Sequence, residues 1–140
     1  MTKEEIRRLY QENILPEEKD PYHFSPLADA NTRIEAHNPF CGDKYVISLK
    51  VKDDRISEAH FEGIGCSLSK ASASVLLRHL EGKSGREVKA FCQEFLNAFE
   101  GDTVPSFQDP AVDVLVRLKE FGGRQDCIKL GWLAISKYFR

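Results

Sequence analysis

No run of apolar residues in this chain approaches the roughly 18 that a membrane-spanning helix needs. The opening residues, Met1-Thr-Lys-Glu-Glu-Ile, have neither the apolar core of a secretory leader nor the acid-poor composition of a transit peptide. Together these absences lead to the expectation of a cytoplasmic protein with no membrane association. An excess of basic charge is also missing. Twenty Lys and Arg face 22 Asp and Glu, and no Lys/Arg run is longer than two. The electrostatic footprint of a nucleic-acid binder is therefore absent, and protein or small-ion partners are expected instead. Cysteine is sparse, with four residues at 41, 66, 92 and 127. None forms the paired C-x-x-C arrangement of common structural zinc sites. Four thiols could make two disulfides, but in the expected reducing compartment metal binding or thiol chemistry takes precedence. Internal repeats and low-complexity tracts are lacking as well.

The 140 residues that are present suit one ordinary domain, expected to span 1–140, with 41% hydrophobic residues for a core and 30% charged residues for its surface. Ile6, Leu9, Tyr10 and Ile14 fall at helical spacing and predict an N-terminal helix over about 2–15, ended by Pro16. The stretch from Pro16 to Asp29 reads as an irregular linker. Period-two alternation over Thr32 to Ala36, Tyr45 to Val51 and Ile56 to Glu62, with a turn at Asp53-Asp54, predicts an antiparallel meander whose third strand is interrupted by Gly63 and Gly65.

Helices follow. The small-residue run after Cys66 leads into Val75, Leu76, Leu77 and Leu80, and Ser84 with Glu87 forms a capping-box pattern. Val88, Phe91, Cys92, Phe95, Leu96 and Phe99 then make a core-facing stripe, so Cys92 is expected to be a core residue. Asp109-Pro110 predicts a helix start, with the helix running to about Glu120 and stopping at Gly122-Gly123. A last helix runs from about Asp126 to the end. Strands first and helices afterwards predict an α+β fold, a small antiparallel three-stranded sheet with helices packed on one face.

Cys41, Cys66 and Cys127 each lie at an element boundary, beside glycines that let the backbone bend sharply and bring short thiol side chains to a shared point. Asp43, across Gly42 from Cys41, can add a carboxylate, giving a Cys3Asp set suited to tetrahedral zinc or to iron-sulfur ligation. Asp43 also fits ordinary turn chemistry, and Cys127, on a largely apolar helix, also fits a core position. The four histidines show no ligand spacing, and only His37, four residues before Cys41, is a candidate accessory ligand.

Three blocks carry a resemblance: Asn38-Pro-Phe-Cys-Gly-Asp43, Phe61-Glu-Gly-Ile-Gly-Cys66-Ser-Leu-Ser-Lys-Ala-Ser-Ala-Ser74, and Arg124-Gln-Asp-Cys127-Ile-Lys-Leu-Gly-Trp132. They resemble, in order, the signature blocks of the IscU/SufU (NifU N-terminal-like) iron-sulfur cluster assembly family. The resemblance points to the SufU branch, because arginine stands three residues before the third cysteine and no histidine immediately precedes it. The stretch of about 100–121 corresponds to that branch's extra segment. Gly122-Gly123 and Asp126 depart from the usual pattern of the third-cysteine loop.

The resemblance implies a zinc ion held by Cys41, Asp43, Cys66 and Cys127, with Arg124 offsetting the excess negative charge. It further implies Cys41 as sulfur acceptor from a PLP-dependent cysteine desulfurase of the SufS kind, and delivery to downstream iron-sulfur assembly proteins. The alternative it implies is a scaffold on which a [2Fe-2S] cluster is assembled and transferred.

Overall fold

A computed structural model describes residues 2–40, 42–101, 106–121 and 124–139. Helix α1, Lys3–Asn13, is capped by Thr2, whose side chain accepts from the Glu5 amide, and it buries Ile6. Pro16 does not end helical structure as the sequence suggested. It occupies the first turn of a second short helix, α2, Leu15–Lys19, where its missing N–H costs nothing because that donor would have no helical partner. The remainder of the expected linker runs beside the sheet, and Phe24 makes a parallel bridge to Phe61.

Strands β1 (Thr32–Asn38), β2 (Asp43–Lys52) and β3 (Arg55–Ile64) form an antiparallel sheet in the order β1-β2-β3. β3 continues through Gly63 rather than breaking there, because the Gly63 backbone takes φ 145, and a Cβ at that point would lie 2.1 Å from the Lys44 carbonyl oxygen. Alternate residues Ile34, Ala36, Tyr45, Ile47, Leu49, Ala59 and Phe61 are buried, as period-two strands require when one face is covered.

Helices α3 (Ser67–Leu77), α4 (Gly85–Glu100), α5 (Pro110–Arg117) and α6 (Gln125–Tyr138) supply the cover. The capping box at Ser84 and Glu87 forms, and Asp109 caps α5 with Pro110 in its first turn. Past Arg117 the chain tightens into a 3-10 turn, Leu118–Phe121. The expected stop at Gly122-Gly123 lies outside the described residues. Trp132 of α6 is fully buried and stacks on Phe95 of α4 at 3.6 Å between ring centroids. Its indole N–H donates to Ser72 Oγ, and Ser72 donates in turn to the Ile128 carbonyl, fixing α6 against α3. Burial of aromatic and aliphatic side chains of this size contributes about 1.5–3 kcal/mol each before entropy is counted. This packing sets the start of α6 beside the start of α3, at the end of the sheet where β2 begins.

Candidate metal centre

The β1–β2 hairpin delivers the first member. Asn38 pairs with Asp43 across the turn, Gly42 takes φ 76, and the Gly42 amide donates to the Asn38 carbonyl at 2.9 Å. The positive φ favours glycine because it has no Cβ to clash. Asp43 thereby becomes the first residue of β2 and points inward at 2% exposure. A buried carboxylate needs partners, and one is the Cys66 amide, which donates to Asp43 Oδ1 at 3.0 Å.

Cys66 is the N-cap of α3. Its Sγ accepts from the Ser69 amide at 3.4 Å, and Ser69 Oγ donates back to the Cys66 carbonyl. Gly65 makes this junction possible, since a Cβ there would lie 2.1 Å from the Tyr45 hydroxyl. That hydroxyl is itself hydrogen-bonded to Ser69 Oγ at 2.8 Å. Arg124, the residue just ahead of α6, donates from Nη2 to Cys66 Sγ at 3.1 Å. Burial alone would push the Cys66 thiol up, but hydrogen bonds from the Ser69 backbone and side chain, from Arg124 and from Cys127 outweigh it and hold the thiol below its ordinary pKa. The hydrogen bonds to the two cysteines raise the pKa of Arg124 in turn.

Cys127, half-buried in the first turn of α6, completes the described group. One ligand atom each from Asp43, Cys66 and Cys127 lie within 4.8 Å of one another. Tetrahedral zinc, with Zn–S of about 2.3 Å, places neighbouring donors roughly 3.8 Å apart. The three donors therefore fit a metal after a small contraction. Two thiolates and a carboxylate suit zinc or iron and disfavour calcium or magnesium, which take all-oxygen shells.

Asp43, Cys66 and Cys127 are brought together and Arg124 touches one of them, while Cys41 lies outside the described residues. His37 is exposed on β1 and stands outside the described cluster. Cys92 is fully buried in α4, where desolvation pushes its thiol up to about 12. Sequence reasoning missed the supporting cast of Asn38, Tyr45 and Ser69. Ser69 had a readable signal, the N-cap spacing of three residues after Cys66. Tyr45 had none, because alternation marks it only as a core residue. On α1, burial and a hydrogen bond to Glu18 shift the Tyr10 hydroxyl upward.

Apolar side chains flank the centre in the open. Phe40 is 94% exposed and Ile64 80% exposed. Among the described residues no helix is long and apolar enough to cross a membrane.

Comparison with known proteins agrees with this architecture. Residues 9–137 match the model of the NifU-like N-terminal domain. The chain is 30% identical over 130 residues to the zinc-dependent sulfurtransferase SufU of Bacillus subtilis, covering 92% of this chain and 88% of that one. It is 29% identical over 132 residues to the iron-sulfur cluster assembly scaffold protein IscU of Thermotoga maritima, covering 94% and 93%. A solved structure of a candidate iron-sulfur cluster assembly scaffold protein of the SUF system from Fervidobacterium islandicum shares the fold, with a TM-score of 0.82 at 24% identity over 94% of this chain and 96% of that one. With the family model spanning nearly the whole chain, this protein belongs to the NifU-like N-terminal domain family of iron-sulfur cluster assembly proteins, which includes SufU and IscU.

Proposed function

We propose that this protein accepts sulfur from a cysteine desulfurase at a zinc centre and passes it into iron-sulfur cluster assembly. The observation that carries the reading is the convergence of Asp43, Cys66 and Cys127 with Arg124 on the Cys66 sulfur. A purely structural zinc site needs no cation on a ligand thiolate, whereas a site that handles sulfur gains from a guanidinium that favours the thiolate. Asp43, Cys66, Cys127 and Cys41, two residues before Asp43 in the sequence, would hold the ion. When bound, zinc would keep the thiolates deprotonated near neutral pH and shielded from oxidation.

Cys41 is the proposed acceptor. In the sequence it stands two residues before Asp43, whose carboxylate is a harder and weaker ligand than thiolate and so the one more readily exchanged, whereas Cys66 and Cys127 are fixed at helix starts. Its thiolate attacks the terminal sulfur of the donor's cysteine persulfide. A new S–S bond forms on Cys41, the donor's S–S bond breaks, and the donor leaves as a thiolate, so atoms and charge balance. In the same reading, the stretch 100–121 is the SufU-type extra segment and the chain is one domain.

The second reading, a scaffold carrying [2Fe-2S] as cargo, is supported by the comparable match to the Thermotoga maritima IscU. One experiment separates the two. Elemental analysis with a visible spectrum of freshly purified protein is expected to show one zinc per chain and no colour, whereas a coloured preparation with iron and sulfide would favour the scaffold. Incubation with desulfurase and cysteine, followed by persulfide trapping and peptide mass spectrometry, is expected to place the label on Cys41. A label on Cys66 or Cys127 would move the acceptor role to that residue.

A further inference from the structure

Strand β1 is an edge strand: among the described residues it pairs only with β2, which leaves its other edge without a strand. Along that edge run two adjoining hollows of about 210 and 190 Å³. One wall is β1 and the turn after it, from Glu35 to Phe40, and the other is α6. Outward-facing Glu35 and His37 and inward-facing Ala36 and Asn38 line the same hollows, so the groove follows the strand's edge rather than either face of the sheet.

The α6 wall is a single helical stripe, Asp126, Leu130, Leu133, Ala134 and Lys137, at spacings of three and four residues. Its apolar members stand beside an edge where β1 already has its partner on the other side, and Leu133 is 38% exposed. Each hollow is smaller than the roughly 300 Å³ at which small-molecule pockets begin. An edge strand with an apolar helical shelf beside it has the form of a strand position, because an added strand pairs in register with the outward backbone groups of β1 while its side chains cover the shelf.

We propose that the free edge of β1 and the exposed stripe of α6 seat a fourth, extended strand supplied by the sulfur-donor protein, apolar where it faces Leu130 and Leu133 and basic where it passes Asp126. The donor is the occupant because of where the seat leads. Asn38 at its end is the register partner of Asp43, and Asp126 adjoins Cys127, so a segment lying in the groove finishes at the ligand cluster. The part of the wall that is strand, Glu35 to Asn38, gives about 13 Å of pairing at about 3.3 Å per residue, and the whole of β1, Thr32–Asn38, gives about 23 Å, an ordinary strand length. Exposed Phe40 at the same end supplies an anchor of the kind interfaces bury. The inference rests on the acceptor reading above.

The test uses the full chain and the cysteine desulfurase of the same organism. Calorimetry compares the unaltered protein with Leu133→Lys and, as a control on the strand farthest from β1, Ser57→Lys on the exposed face of β3. Hydrogen exchange follows the β1 amides with and without the desulfurase. Leu133→Lys is expected to weaken binding about tenfold or more and Ser57→Lys to leave it unchanged. Alternate amides over 33–38 are expected to exchange more slowly in the complex. Unchanged β1 exchange in a complex that forms would overturn the fourth strand while leaving the acceptor reading intact, and it needs no variant, so a poorly folded Leu133→Lys would not obscure it. Normal binding by a folded Leu133→Lys would also overturn it. So would a self-dimer that Leu133→Lys dissolves, since a second copy would then own the edge. A desulfurase that neither binds the unaltered protein nor transfers sulfur to it would overturn the acceptor reading itself and this inference with it.

Discussion

Cys66 and Cys92 are the same side chain in opposite surroundings. Cys66 has a helix start, the Ser69 amide and a guanidinium around its sulfur, and its thiol is held below the ordinary value. Cys92 sits at 0% exposure among apolar neighbours and is pushed up to about 12. At pH 7.5, in chelator-treated native protein, iodoacetamide is therefore expected to modify Cys66 and spare Cys92, as peptide mass mapping can check. Equal labelling of the two would contradict the environments described. Cys92→Ala should keep bound metal and cost about 1 kcal/mol, because it removes one small buried atom from the core. Cys66→Ser should lose most of the metal, since a hydroxyl remains protonated where a thiolate is needed. Loss of metal from Cys92→Ala would show that the centre draws on the core cysteine.

At the scale of elements, most of the fold was legible because its signals were local and periodic. The alternation of β1 to β3 and the stripe of α4 announced themselves through spacing, and the capping box at Ser84 marked a true helix start. α2 was hidden because a proline that ends one helix can equally open the next. The site was legible in part for a different reason. Its ligand types and their boundary positions are visible in the sequence, as is the local N-cap spacing of Ser69, whereas the contact of Tyr45 with Ser69 depends on tertiary approach. Gly65 shows how tight that approach is. Gly65→Ala would put a methyl group 2.1 Å from the Tyr45 hydroxyl and 2.7 Å from Ser69 Oγ, so β2 and α3 must separate. A cost on the order of 1–3 kcal/mol is expected from such overpacking, together with weaker metal binding because Cys66 moves with α3. A Gly65→Ala protein with the original melting temperature and zinc affinity would show that the junction has slack.

The start of α5 offers an element-scale test by pH. Asp109 caps the helix and is hydrogen-bonded to His79 Nε2 at 2.6 Å, and that bond holds its carboxyl below the usual range. A depressed carboxylate stabilises the fold at pH values above its unfolded pKa of about 3.9, and the stabilisation is lost as pH falls through the lower folded value. Asp109→Ala should cost about 1 kcal/mol near neutral pH. The gap in melting temperature between it and the unaltered protein, both in chelator, should narrow as pH drops below about 4. A gap constant from pH 6 to pH 3 would mean that Asp109 acts only by its shape.

For the molecule as a whole, the centre ties together segments that the chain alone leaves far apart. Asp43 opens β2, Cys66 opens α3 and Cys127 lies in the first turn of α6, so one ion would cross-link the sheet to both helices. Only the folded chain brings these donors within 4.8 Å of one another, and a metal that binds the folded state in preference to the unfolded one stabilises it by mass action. At free zinc about 1,000 times the dissociation constant the gain is roughly 4 kcal/mol, which for a domain of this size raises the melting temperature by on the order of 10–20 °C. Chelator-treated protein titrated with zinc and followed by calorimetry should show that rise, and the Cys66→Ser protein should show little of it. The rise should shrink as pH falls, because protons compete for the thiolates and the carboxylate. If saturating zinc leaves the melting temperature of the unaltered protein where chelator sets it, Asp43, Cys66 and Cys127 do not share an ion, and their convergence serves packing and hydrogen bonding alone.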